Sequence, residues 1–174
     1  VAESEHPVNV IGQNQSGRSE IIGCQMIWTS PDSLRIIRTP ERSGKPLKVL
    51  LAEDNPIDQI CIRRLLEKQG MDVILAGDGR KALDAFAEER FDLVLLDILM
   101  PELDGFEVAL QIRESEKSCG DHIPVIALTA YSLNAVYDRC RAVGMDGYLS
   151  KPVSNSDLIA LSTVLLQDSA SERG

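Results

Sequence analysis

Side chains able to do chemistry stand where the apolar runs of this chain stop. Glu53 and Asp54 follow LKVLLA (Leu47 to Ala52), and Asp97 closes FDLVLLD (Phe91 to Asp97). Thr129 closes IPVIALT (Ile123 to Thr129), and Lys151 follows DGYLS (Asp146 to Ser150). Each alone has an ordinary reading: Asp97 as a turn or helix cap, Thr129 as a β-former, Tyr148 as a half-buried strand residue. Together they suggest more. If the runs are parallel strands, their C-terminal ends share one edge of a sheet, where ligands bind. Carboxylates only a few Å apart repel one another unless a cation intervenes, and a hard divalent ion such as Mg²⁺ takes a few carboxylates and retains several waters. An ammonium and a hydroxyl beside such an ion suit the oxygens of a phosphoryl group, which leaves the middle carboxylate to act as nucleophile.

The elements that must position these groups can be read from rhythm. A further short run, DVILA (Asp72 to Ala76), completes a set of five, all leucine-rich or β-branched and bounded by Gly, Pro or Asp. Helical stretches lie between and after them at Ile57 to Gln69, Arg80 to Glu89, Phe106 to Glu114, Leu133 to Val143 and Ser156 to Gln167. The first has Asn55 as N-cap, Pro56 just inside and Gly70 as stop, with Ile57, Ile60, Cys61 and Leu65 at helical spacing. Strands alternating with helices predict an α/β domain: a doubly wound, parallel five-stranded (βα)5 sheet covered on both faces, spanning 47–168. Residues 1–46 read as a polar linker or irregular extension with a short hairpin at 20–38, closed by the boundary TPERSGKP, and 169–174 as a disordered tail.

The composition excludes several classes. With 174 residues and a net charge of −9, the chain has room for one sizeable core and repels nucleic acid and anionic membrane. No apolar run spans a bilayer and none reads as a signal peptide, so a cytoplasmic fragment without membrane contact is expected. The start at Val1 suggests a piece of a longer chain whose parent could be membrane-anchored. Cys24, Cys61, Cys119 and Cys140 are scattered and read as reduced thiols, while His6 and His122 read as solvated side chains. Ala76-Gly77-Asp78-Gly79 lacks the lysine and spacing of a phosphate loop and reads as a β-to-α turn.

From Leu47 onward the chain resembles the receiver domain of two-component response regulators. LLAEDNPIDQ and LDILMPELDGFE look most like receivers attached to hybrid sensor histidine kinases. An acid pair, D-x-x-M-P-x-x-D-G, T-A and K-P occur in order at the expected strand ends. The resemblance implies a flavodoxin-like fold in which Asp97 accepts a phosphoryl group from a kinase phosphohistidine. It also implies that Asp54, Asp97 and the backbone carbonyl of Leu99 ligate Mg²⁺, with Glu53 acting through a metal-bound water. Lys151 would bridge to the phosphoryl oxygens, next to a cis Lys151-Pro152 peptide. Pro101 and Gly105 would shape the loop after the nucleophile, with Asp104 serving its turn. Thr129 and Tyr148 would form the switch, Thr129 swinging toward the phosphate and Tyr148 rotating into the vacated space, so that the surface of the fourth helix, fifth strand and fifth helix moves.

Leu99 and Tyr131, two residues beyond the phosphoacceptor and the switch Thr, cannot orient an attacking water, so slow intrinsic dephosphorylation is expected. Expected partners are a histidine kinase or a histidine phosphotransfer domain, with homodimerisation through the fourth helix, fifth strand and fifth helix. Ile57 and Ile60 are candidates for docking the partner's helix, with core packing as the competing reading. The stripe Leu158, Ile159, Leu161, Val164, Leu165 and Leu166 reads mainly as core. The alternative function is an interaction or dimerisation module of the same fold that has lost phosphotransfer. A haloacid-dehalogenase-type hydrolase would need an acid where Leu99 stands. The domain is thus expected to be a phosphoacceptor rather than a turnover enzyme, though its parent could be a sensor kinase.

Overall fold

A computed structural model describes residues 45–131 and 133–167. The hairpin expected at 20–38, the tail at 169–174, His6 and Cys24 lie outside them. Strands β1 (Lys48–Ala52), β2 (Asp72–Ala76), β3 (Leu93–Asp97), β4 (Val125–Thr129) and β5 (Gly147–Ser150) alternate with α1 (Pro56–Lys68), α2 (Gly79–Glu88), α3 (Gly105–Cys119), α4 (Leu133–Ala142) and α5 (Asn155–Gln167). All strand pairs are parallel, in the order β2-β1-β3-β4-β5. The expected doubly wound sheet is the one that forms.

The two faces follow from the two-residue period of a strand. Leu50, Ala52, Val94 and Leu96 pack with Ala82 of α2, Val108 and Ile112 of α3, and Val136 and Cys140 of α4. Val49, Leu51, Leu93 and Leu95 pack with Ile62 and Leu66 of α1 and Leu158 and Leu161 of α5. The central strand β3 therefore has no solvent face, which is why its sequence is aliphatic without alternation.

Local chemistry sets the helix ends. The Asn55 side chain accepts from the backbone N–H of Ile57 and Asp58, Pro56 opens α1, and Gly70 follows it at φ +78°. Asp78 caps α2 by accepting from Lys81 N–H, so the Gly77-Asp78-Gly79 turn is the β-to-α connection its composition indicates. Gly79 is required by contact: a Cβ there would lie 2.5 Å from the Leu103 carbonyl oxygen. Helix α3 runs past Glu114 to Cys119, ending only at Gly120, whose φ of +73° is the left-handed stop.

Burial decides one open sequence reading, removing Ile57 and Ile60 from the core, and corrects another. The inward face of α1 is Ile62 and Leu66, while Ile57 is 70% and Ile60 50% exposed and Cys61 is exposed. Both stripes have helical spacing, and the sheet selects the second. His122 is a half-buried member of an ion network rather than a solvated side chain: its Nε2 lies 2.7 Å from Asp146 Oδ1.

Candidate functional site

Strand order places the crevice. The strand order reverses its winding between the parallel neighbours β1 and β3, whose following helices α1 and α3 cover opposite faces of the sheet, and the residues just beyond the Ala52–Leu96 partners are Glu53 and Asp97. Backbone bonds pin each strand end: Glu53 N–H donates to the Ala76 carbonyl at 3.0 Å, Ile98 N–H to Leu128 at 3.1 Å, and Lys151 N–H to Thr129 at 2.8 Å. The functional side chains thus leave a rigid edge.

Carboxylate oxygens of Glu53, Asp54 and Asp97 lie within 4.8 Å of one another, with Glu53 and Asp97 buried and Asp54 exposed. Lys151 Nζ lies 2.8 Å from Asp97 Oδ2 and 2.6 Å from Glu53 Oε2. Glu53 Oε2 has no aligned hydrogen bond, so this ion contact alone compensates it, while Oε1 accepts from Asn55 N–H at 3.1 Å. Burial pushes the Glu53 carboxyl up to about 7 against the pull of Lys151 and the Asn55 N–H, and the Asp97 charge adds to the rise. Burial also disfavours the Lys151 ammonium, but hydrogen bonds to Asp97 and Glu53 and the charge of both outweigh it and raise its pKa. Lys151 thus pairs with two of the three clustered acids, Glu53 and Asp97.

The loop after Asp97 is held tightly. Leu99 N–H donates to Asp97 Oδ1 at 3.0 Å, and Gly105 N–H to the Ile98 carbonyl at 3.0 Å. A Cβ on Gly105 would sit 2.4 Å from the Asp97 carbonyl oxygen, so only glycine fits there. Glu102, at φ +68°, makes the sharp bend bridged by Leu103 N–H to the Pro101 carbonyl at 2.9 Å. Asp104 turns the chain into α3 through a capping box with Glu107. The Lys151-Pro152 peptide is cis.

Thr129 is buried, its Oγ1 accepting from Tyr131 N–H at 3.0 Å. Tyr148 is also buried, packed within the cluster that contains Val136 and Cys140, and burial lifts its phenol to about 12. Its ring therefore already lies inside in this conformation. Leu99 and Tyr131 are exposed beside Asp97 and Thr129 in sequence. Two neighbours escaped the sequence reading. Asp58 Oδ2 lies 3.6 Å from Lys151 Nζ, and the Gln59 side-chain amide donates to the Glu53 carbonyl. An acid one helical turn after Asp54, on a helix starting at the crevice, is the signal that would have found Asp58.

A parallel (βα)5 sheet with this acid-lysine crevice defines a class of protein, and comparison with known sequences gives the same class. Residues 49–163 match the response regulator receiver domain model, and the chain belongs to that family. It is a phosphoacceptor receiver domain of two-component phosphorelay signalling. The chain is 38% identical over 154 residues to hybrid signal transduction histidine kinase I of Dictyostelium discoideum, covering 84% of this chain and 8% of that one. It is 39% identical over 131 residues to response regulator MprA of Mycolicibacterium vanbaalenii, covering 74% of this chain and 54% of that one. Among solved structures, the receiver domain of Pseudomonas aeruginosa sensor histidine kinase PA1611, with magnesium coordinated in its active-site cleft, aligns at TM-score 0.61 and 34% identity, covering 70% of this chain and 96% of that one. The receiver domain of Saccharomyces cerevisiae Ssk1, solved with the histidine phosphotransfer protein Ypd1, aligns at TM-score 0.63 and 30% identity, covering 74% and 92%. No helix among the described residues is long and apolar enough to cross a membrane.

Proposed function

We propose that Asp97 is the phosphoacceptor, taking a phosphoryl group from a phosphohistidine on a histidine kinase or histidine phosphotransfer domain. The observation that carries this reading is the convergence of Lys151 on Asp97 and buried Glu53, which holds an ammonium where phosphoryl oxygens would arrive. A cation fits the donor set: the acids outnumber the ammonium, all donors are hard oxygens, and Glu53 Oε2 lacks an aligned hydrogen bond. Asp54, Asp97 and the Leu99 backbone carbonyl would hold Mg²⁺, with Glu53 reached through a water. The ion would neutralise the charge of the transferring phosphoryl group.

The chain's own residues do the rest. Asp97 presents a carboxylate oxygen to phosphorus, Lys151 neutralises the phosphoryl oxygens, and Thr129 exchanges its Tyr131 N–H contact for a phosphoryl oxygen. Because Tyr148 is already inward, phosphorylation acts by stabilising that arrangement rather than by creating it, a population shift that redraws the α4-β5-α5 surface. That surface is the proposed site of homodimerisation. The exposed Ile57 and Ile60 at the start of α1 are the proposed seat for the donor's helix. The proposed domain boundaries are 47–168 and the proposed location is cytoplasmic.

Mg²⁺ with beryllofluoride, a mimic of the aspartyl phosphate, tests this reading against the pure interaction module. Amide NMR shifts around Asp97, Thr129 and Tyr148 are expected. An unperturbed spectrum would favour the interaction module.

A further inference from the structure

We infer that Asp58 sets which phosphodonors Asp97 accepts, a role that rests on the phosphoacceptor reading above. Three carboxylates surround the Lys151 ammonium, at 2.6 Å from Glu53, 2.8 Å from Asp97 and 3.6 Å from Asp58. They differ in where they face. The side chains of Glu53 and Asp97 are 0% and 7% exposed, whereas that of Asp58 is 40% exposed. Asp58 is therefore the solvent-exposed member of the three carboxylates around the ammonium, on the side open to an arriving donor.

Its backbone fixes it there. Asp58 is the third residue of α1, and its N–H lies 3.4 Å from the Asn55 cap. A helix N-terminus alone explains an acid in the first turn, worth a few tenths of a kcal/mol to about 1 kcal/mol. It does not explain contact with Lys151, on the far side of the crevice in sequence. A carboxylate at that contact offsets part of the ammonium's field toward solvent and repels small anions, which carry no other binding energy. A donor presented on a protein has surface such as Ile57 and Ile60 to bind and can offset the repulsion. Asp58 thereby favours a protein-borne phosphohistidine over free acyl phosphates.

The step itself is the same for every donor. An Asp97 oxygen forms a bond to phosphorus as the bond from phosphorus to the leaving group breaks, and the leaving group departs with the electron pair. Acetyl phosphate releases acetate, and phosphoramidate, whose nitrogen carries the proton, releases ammonia.

The test uses the full chain with saturating Mg²⁺ and compares wild type, Asp58→Asn and Asp58→Glu. With acetyl phosphate, Asp58→Asn should raise the phosphorylation rate constant roughly three- to tenfold at low ionic strength, and added salt should erase the difference. Asp58→Glu should behave as wild type. Phosphoramidate, with one negative charge fewer, should show a smaller increase. Mg²⁺ titration without donor, followed by NMR, should show slightly weaker binding in Asp58→Asn. A purely structural acid would alter the melting temperature of Asp58→Asn without changing donor preference or salt dependence, and that result would overturn the inference. Phosphorylation of an Asp97→Asn control would instead overturn the phosphoacceptor assignment beneath it.

Discussion

Two charged clusters sit in this domain, and they are built on different rules. At the C-terminal edge of the sheet, Lys151 pairs with Glu53 and Asp97 and lies 3.6 Å from Asp58, while Asp54 adds a further carboxylate within 4.8 Å of the first two. Away from that edge, Arg113 of α3 donates to Asp146 at 2.6 Å, to both Glu116 oxygens at 2.7 and 2.8 Å, and to the carbonyls of Gly144 and Ile123 at 2.8 and 2.9 Å. His122 completes that cluster, beside Asp146 at 2.7 Å and Glu116 at 3.6 Å. Two carboxylates there meet a guanidinium and an imidazolium, and their remaining lone pairs take the N–H groups of Ile123 and Val125. The second cluster is closed and ties α3 to the segments entering β4 and β5; the first is left short of positive charge. A buried charge set complete in itself is costly to break, because removing one member strands the others, whereas an incomplete one is poised to bind what completes it.

The largest expected effect comes from opening the closed cluster. Arg113→Ala strands Glu116 and Asp146, both buried, and should cost about 3–5 kcal/mol in urea unfolding. A loss below about 1 kcal/mol would mean that the network is not what holds α3 to the sheet.

The pH dependence of the same cluster comes next. Hydrogen bonding to Asp146 and Glu116, against the opposing effect of burial, lifts His122 from 6.5 to about 9. A raised folded pKa means that this stabilisation is fully present below pH 6.5 and lost as pH rises through 9. The stability difference between wild type and His122→Gln should therefore be on the order of 2–3 kcal/mol at pH 6 and shrink toward zero by pH 10. A difference independent of pH would rule out a charged His122.

The smallest effect is kinetic and belongs to the open cluster. Exposed Leu99 cannot orient water, so Leu99→Asn should speed loss of phosphate from the domain several-fold, or about 1 kcal/mol in barrier, without changing stability. Equal rates in the two proteins would remove Leu99 from the timing of the signal.

The open cluster was legible in the sequence and the closed one was not, for a physical reason. Strand-end residues of a parallel sheet converge by topology, so Glu53, Asp97, Thr129 and Lys151 could be grouped once the apolar runs were seen. Arg113, Glu116, His122 and Asp146 come from a helix and two loops, and each is an ordinary surface residue when read alone, so the sequence shows His122 as a solvated side chain. The orientation of α1 was ambiguous because Ile57 and Ile60 and the Ile62 and Leu66 pair all obey helical spacing; only docking on β1 and β3 separates them. Asp58 stands in the first turn of α1 rather than at a strand end, so the rule that groups Glu53 with Lys151 passes over it.

The central claim is that the open cluster exists to phosphorylate Asp97. The most direct measurement is transfer of labelled phosphate from a phosphorylated histidine phosphotransfer domain to this chain with Mg²⁺, in wild type and Asp97→Asn. Label bound to wild type in a form released by alkali and by hydroxylamine, as an acyl phosphate is, and absent from Asp97→Asn, is the predicted result. Equal labelling of the two proteins would contradict the account.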